Sequence, residues 1–78
     1  MSHFFFDVTD DGRPNVADAI GTELAREEIP AEAQMLIANI ARDRLPDGVH
    51  RNFAVTVRDA ESRAVYRAAL TLRAEWLA

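Results

Sequence analysis

Seventy-eight residues, 49% hydrophobic and 28% charged with a net charge of −4 at pH 7, suit one globular domain and leave no room for two. The chain has no cysteine, which removes disulfide frameworks and thiolate zinc sites from consideration. No stretch approaches the ~20 apolar residues of a membrane helix. Phe4-Phe5-Phe6 runs straight into Asp7, Asp10 and Asp11, unlike a signal peptide, so a cytoplasmic protein is expected.

His3-Phe4-Phe5-Phe6-Asp7-Val8-Thr9 has the composition of a strand. Alternation places Phe4, Phe6 and Val8 on one face and His3, Phe5, Asp7 and Thr9 on the other. Phe5 breaks the polar character of the second face, which predicts that something covers it. Asp10-Asp11-Gly12-Arg13-Pro14-Asn15 then concentrates turn formers and ends the strand.

Val16 to Ile29 carries no clear period. Gly21 interrupts any helix, and Thr22-Glu23-Leu24 reads as a short extended piece or a turn that drops Leu24 into the core. Pro30 suits the first position of a helix, where its missing N–H costs nothing. From Pro30 to about Arg44, the residues Ala33, Leu36, Ile37, Ile40 and Ala41 recur at three- and four-residue steps, which predicts one amphipathic helix. Arg42 and Arg44 fall in its last turn, where positive charge complements the helix dipole, and Pro46-Asp47-Gly48 stops it.

Phe53-Ala54-Val55-Thr56-Val57-Arg58 alternates cleanly, with Phe53, Val55 and Val57 inward. Asp59-Ala60-Glu61-Ser62-Arg63 is a hairpin connection in which Ser62 replaces the easier glycine if the loop needs a positive φ. Ala64 to about Arg73 is the closing strand, with Tyr66, Ala68, Leu70 and Leu72 on its apolar face. Trp76 and Leu77 extend that strand or pack back as a tail.

These elements predict a single α+β domain over residues 1–78 of β-α-β-β order. One main helix packs on one face of a three-stranded, mainly antiparallel sheet, over Phe4, Phe6, Phe53, Val55, Val57, Tyr66, Leu70 and Leu72. The first strand is expected antiparallel beside the closing strand, which makes the closing strand central; a parallel place beside the second strand is the alternative. No second helix exists for the other sheet face. Its candidate interface residues are Phe5, Ala54, Thr56, Arg58, Val65, Arg67, Ala69 and Thr71. Small and apolar residues interleaved with arginines suit a self-complementary two-fold contact, and small domains often gain stability by oligomerising, so a homodimer is expected.

Charge is uneven along the chain. Residues 1–32 carry eight acids against Arg13 and Arg26, whereas 33–78 carry seven arginines against five acids, and there is no lysine. Arg51, Arg58, Arg63, Arg67 and Arg73 would give a positive strip on the C-terminal hairpin, but a pI of about 5.0 disfavours nucleic acid as a partner. Metal binding would need His3 and His50 with Asp7, Asp10 or Asp11, residues without diagnostic spacing. The glycines lie apart at 12, 21 and 48, so no phosphate loop is present. Ser2 and Ser62 lack a nucleophile's context. No catalytic residue, cofactor or metal is therefore assigned, and the expectation is a non-catalytic protein-interaction module. The alternative is a small regulatory or antitoxin-like protein that binds a partner protein or nucleic acid through the hairpin arginines.

The order of motifs resembles a known pattern. His3-Phe4-Phe5-Phe6-Asp7 precedes Asp11-Gly12, then Asp18-x-x-Gly21-x-Glu23-Leu24, an alanine-rich helix ending Ala41-Arg42-Asp43, Leu45-Pro46-Asp47-Gly48, and Val55-Thr56-Val57-Arg58-Asp59. The chain is similar over nearly its whole length to a family of short, mostly alphaproteobacterial proteins classed as a domain of unknown function. Ser62, where that family usually has glycine, and Pro30, where its helix usually runs on, depart from the pattern. The resemblance implies no activity and no site residue.

Overall fold

The computed structural model describes every residue except Met1, Asp47 and Val49, and the side chains of all of these save Pro14, Asn15, Val16 and His50. Asp47 in the expected helix stop lies outside the described residues, as does the His50 side chain of the metal set weighed above. The elements in chain order are β1 (Ser2–Asp10), β2 (Arg13–Val16), β3 (Thr22–Leu24), a 3-10 turn (Arg26–Glu28), α1 (Ile29–Arg44), β4 (His50–Arg58) and β5 (Ala64–Arg73). The α+β class holds, with one helix packed on an antiparallel sheet.

The sheet has four strands in the order β2-β1-β4-β5, not three, and β3 pairs with the opening residues of β1. The extra strand arises because Asp11 (φ 54°) and Gly12 (φ 81°) form a two-residue turn that brings Arg13 opposite Asp10. Asp-Gly is a preferred pair for such a turn, whose backbone twist matches that of a hairpin. The cluster of turn formers thus folds the chain back on itself instead of merely ending β1.

The expected strand order is also corrected. β1 lies antiparallel beside β4, so β4 is central and β5 is an edge strand. The reason lies in the two faces of each strand. Phe53, Val55 and Val57 are at most 1% exposed on the helix face of β4, and Ala54 is buried on the opposite face. A strand apolar on both faces gains most from a central place. β5 instead carries Arg67, Ala69 and Thr71 exposed on one face, and Leu70 on the other is 42% exposed, beyond the helix's cover.

α1 takes Pro30 into its first turn. The Glu28 carboxylate accepts from the Ala25 N–H at 2.7 Å and so fixes the entry to the helix. Ile29, Ala33, Ile37 and Ala41 are buried at strict four-residue spacing, and Leu36 and Ile40 flank them half-buried. They meet Phe4, Val8, Phe53, Val55 and Val57 from the sheet, and Leu24 from β3 completes the cluster. The β4–β5 loop turns at Ser62, whose φ is 65°, so the position does ask for glycine's conformation. Asp59 organises that loop by accepting from the N–H groups of Glu61 and Arg63.

Candidate functional site on the open face and free edge of the sheet

The sheet face away from α1 is divided. At one end, residues 17–21 bridge β2 and β3 along the outer edge of β1 and lean over this face as a strap held by two aspartates. Asp18 accepts from the N–H of Phe6 through one oxygen and from those of Ile20 and Gly21 through the other. Asp7 accepts from the Asp18 N–H at 3.0 Å and receives Arg58 in a two-pronged pair at 2.5 and 3.1 Å. Arg58 also donates to the Asp18 carbonyl and lies 5.0 Å above the Phe5 ring centroid. The His3 ring meets Phe5 edge to face at 5.3 Å and bonds the Ile20 carbonyl through Nε2. Gly21, at φ +78°, fits beneath His3 and Phe5 only because it has no Cβ.

The electrostatic consequence is uniform. The Arg58 guanidinium holds the Asp7 carboxyl below its ordinary pKa, and Asp7 in turn raises that of Arg58. The Gly21 N–H, followed by that of Phe6, does the same for Asp18. Around the β1–β2 turn, Arg51 and then Arg44 depress Asp10, each at 2.6 Å. Arg51 also approaches Asp11 at 2.9 Å and lies 5.1 Å above the Phe53 ring. Asp59 is lowered chiefly by the Arg63 N–H. Every aspartate shifted here is shifted toward its ionised form, away from the range in which a carboxyl acts as a general acid near neutral pH.

The other end of the open face is bare. Asp7, Thr56 and Arg67 lie side by side across β1, β4 and β5, as do Thr9, Ala54 and Ala69, while Asn52 pairs with Thr71. Seven of the eight expected interface residues therefore share this face. Phe5 and Arg58 are half-buried within the strap's network; beyond it Arg67, Ala69 and Thr71 are exposed, Thr56 is half-buried and Ala54 is buried. Val65 is the exception. A bulge between Val57 and Arg58 leaves it as the extra residue of β5, and it packs against the core. A cavity of about 350 Å³ on the bare part is lined by Thr9, Asn52, Ala54, Arg67, Ala69 and Thr71.

Two further cavities flank the helix. One, about 480 Å³, lies between α1 and β1 over Phe6, Val8, Leu36 and Ile40, with Asp18, Glu32 and Arg44 around it. The Asp18 carboxylate there is already bonded to three backbone N–H groups and Arg44 to Asp10. The second, about 420 Å³, lies between Gln34, Ile37 and Ala38 of α1 and Tyr66, Ala68 and Leu70 of β5. Among the described residues no cluster of histidine and carboxylate groups is arranged to hold a metal ion, and no helix is long and apolar enough to cross a membrane.

The strap was the part least legible from the sequence. In the sequence Asp18 stands out only as part of the family pattern, and Gly21 otherwise only as a break in any helix. The signal that would have placed them is the Asp-x-x-Gly spacing, since a short acidic side chain readily bonds the N–H groups two and three residues on.

These features define a class: a small α+β domain with one helix on an antiparallel sheet, its open face locked at one end by aspartates and left bare at the other. Within that class, the chain belongs to the family described as a domain of unknown function, DUF6894, which matches residues 3–71. No curated protein and no solved structure matches the chain.

Proposed function

We propose that this domain is a non-catalytic protein-interaction module that associates with a second copy of itself through its sheet. The observation that carries this reading is β5. It is a ten-residue edge strand with exposed Leu70, followed by a tail in which Trp76 and Leu77 are 93% and 90% exposed. Among the described residues no strand pairs with its outer edge. Long edge strands of this kind are normally blunted, paired or covered, and exposed apolar groups beside them favour association. The downward-shifted aspartates, each occupied by an arginine or by backbone N–H groups, support a structural role for the acidic residues over acid–base chemistry.

Static light scattering after size-exclusion chromatography, at tens of micromolar protein, tests the reading. A dimer supports it, and a strict monomer refutes it. The regulatory alternative, with a partner protein or nucleic acid held by the hairpin arginines, draws less support. Arg51, Arg58 and Arg63 are already paired with Asp10, Asp7 and Asp59, which leaves a weak positive strip. A salt-sensitive shift of random DNA would favour that alternative.

A further inference from the structure

We infer that two copies join edge to edge through β5, antiparallel and centred on Thr71, with the Trp76 of each copy seated against the helix–β5 cavity of the other. This rests on the self-association proposed above and specifies its surface and register.

A two-fold axis perpendicular to a sheet brings residue i of one edge strand opposite residue j of the other with i + j constant, and the same patch must serve both copies. Directly opposed residues point to the same face, so i and j are both odd or both even. The side chains near the free edge then discriminate among centres. Among the described residues, Arg67 and Glu75 are exposed and make no side-chain hydrogen bond or ion pair within the chain. A centre at Thr71 sets Arg67 opposite the second copy's Glu75 on the open face, twice by symmetry. On the helix face the same centre sets Leu70 opposite Leu72, Ala68 opposite Ala74 and Tyr66 opposite Trp76. A centre at Ala69 would instead set Glu75 against Arg63, which is already committed to Asp59 and Glu61, and would leave Trp76 beyond the pairing.

The cavity is the second, independent observation. Its strand side is Tyr66, Ala68 and Leu70, and its helix side Gln34, Ile37 and Ala38. Those strand residues are the ones that face Trp76, Ala74 and Leu72 of the second copy when Thr71 is the centre. A Trp ring lying across from Tyr66 fills this apolar space, and aromatic side chains of this size bury roughly 150–250 Å² each. The shape of the molecule agrees with a tail that continues β5. Its longest dimension is 52 Å against 22 and 18 Å, and fifteen residues from Ala64 onward at ~3.4 Å each span about 50 Å.

The absence of cysteine gives a direct test in the full chain, because Thr71→Cys introduces the sole thiol. Opposed residues of antiparallel strands have Cα atoms about 4.5–5.5 Å apart, within the range a disulfide bridges. Mild oxidation is expected to link Thr71→Cys into a covalent dimer on a non-reducing gel, while Ala69→Cys stays monomeric. The reverse pattern, or neither variant linking in a protein that light scattering shows to be dimeric, overturns the Thr71-centred edge while leaving self-association standing. A monomeric wild type overturns both. Arg67→Glu is expected to weaken the dimer about tenfold, from two exposed ion pairs replaced by like charges, and Arg67→Glu with Glu75→Arg to restore it. Failure of that rescue counts against the register. Because Trp76 is the chain's one tryptophan, its emission is expected to move to shorter wavelength as protein concentration rises through the dimer's Kd. An emission maximum unchanged across that range overturns the seating of Trp76.

Discussion

Replacing Gly21 with alanine tests the strap on the open face, and the structure supplies its own control. A Cβ at Gly21 would lie 2.6 Å from Cδ2 and Nε2 of His3 and 2.9 Å from Cε2 of Phe5, at a φ of +78°. Two costs add. The left-handed backbone costs an L-residue roughly 1–2 kcal/mol, and forcing a methyl group into occupied space costs roughly a further 1–3 kcal/mol. Gly12 has nearly the same φ, +81°, with nothing within 4 Å of its Cβ position, so Gly12→Ala carries the first cost alone. The expected losses are about 1–2 kcal/mol for Gly12→Ala and about 2–5 kcal/mol for Gly21→Ala. A domain of this length has a total stability of roughly 4–12 kcal/mol. The second variant therefore loses a large share of its stability, and its Tm falls by roughly 4–8 °C per kcal/mol. Urea denaturation and thermal melts, both followed by far-UV circular dichroism, measure the two quantities. One low protein concentration is used throughout, because association with a second copy would add to apparent stability. Adding His3→Ala to Gly21→Ala should recover part of the loss, since the two nearest atoms are gone and the Phe5 contact stays. Equal losses for the two glycine variants, or no recovery with His3→Ala, would refute the packing of the strap against His3.

Three further outcomes are expected. Ser62→Gly should raise stability by about 1 kcal/mol, because it relieves a φ of 65° in a loop whose other contacts stay, and thermal melts will show it. Asp18→Ala removes the acceptor for three backbone N–H groups. At about 0.5–1.5 kcal/mol per hydrogen bond, discounted for partial exposure, it should cost about 1–2 kcal/mol and quicken amide hydrogen exchange at Phe6, Ile20 and Gly21 more than in β4. Acid should destabilise the domain in a defined window. Asp7, Asp10, Asp18 and Asp59 all have pKa values lowered in the folded state, so between those values and the unfolded value, about 3.9, the unfolded chain binds more protons. Their contribution is complete above that unfolded value and is lost as pH falls through the folded ones. The urea midpoint should therefore be flat toward neutral pH and drop below about pH 4, with a shallower drop in Asp7→Asn.

What the sequence made legible follows the strength of each local signal. The helix was bounded to within one residue because a three- and four-residue apolar spacing coincided with a proline that only a first turn accepts. The β4–β5 hairpin and the strain at Ser62 were legible because strict alternation flanked a loop of fixed length. β2 is not legible because Asp11-Gly12 reads as an end when its dihedrals make it a reversal, and four residues with a proline carry no periodic signal of their own. Strand order failed for a different reason. The closing strand looks central on its apolar face alone, yet centrality depends on both faces, and Ala54 opposite Phe53 and Val55 decides for β4.

The cover over Phe5 joins these points. Three successive phenylalanines cannot all face one helix, so the middle one has to be covered from the other side. That cover comes from the chain itself: Arg58 lies above the ring, His3 stands at its edge, and Gly21 passes close beneath both side chains. Each depends on a residue remote in sequence, Asp7 for Arg58 and Ile20 for His3, which is why no window of the sequence reveals the arrangement. With Phe5 covered from within, the pressure to associate passes to the surface the strap does not reach. There the expected interface residues Ala54, Thr56, Arg67, Ala69 and Thr71 run to the edge of β5, and beyond it the tail holds its one tryptophan in solvent. A strand edge, unlike an open face, offers a row of N–H and C=O groups that a second strand satisfies in full. The stronger claim on a second copy therefore belongs to β5 and its tail.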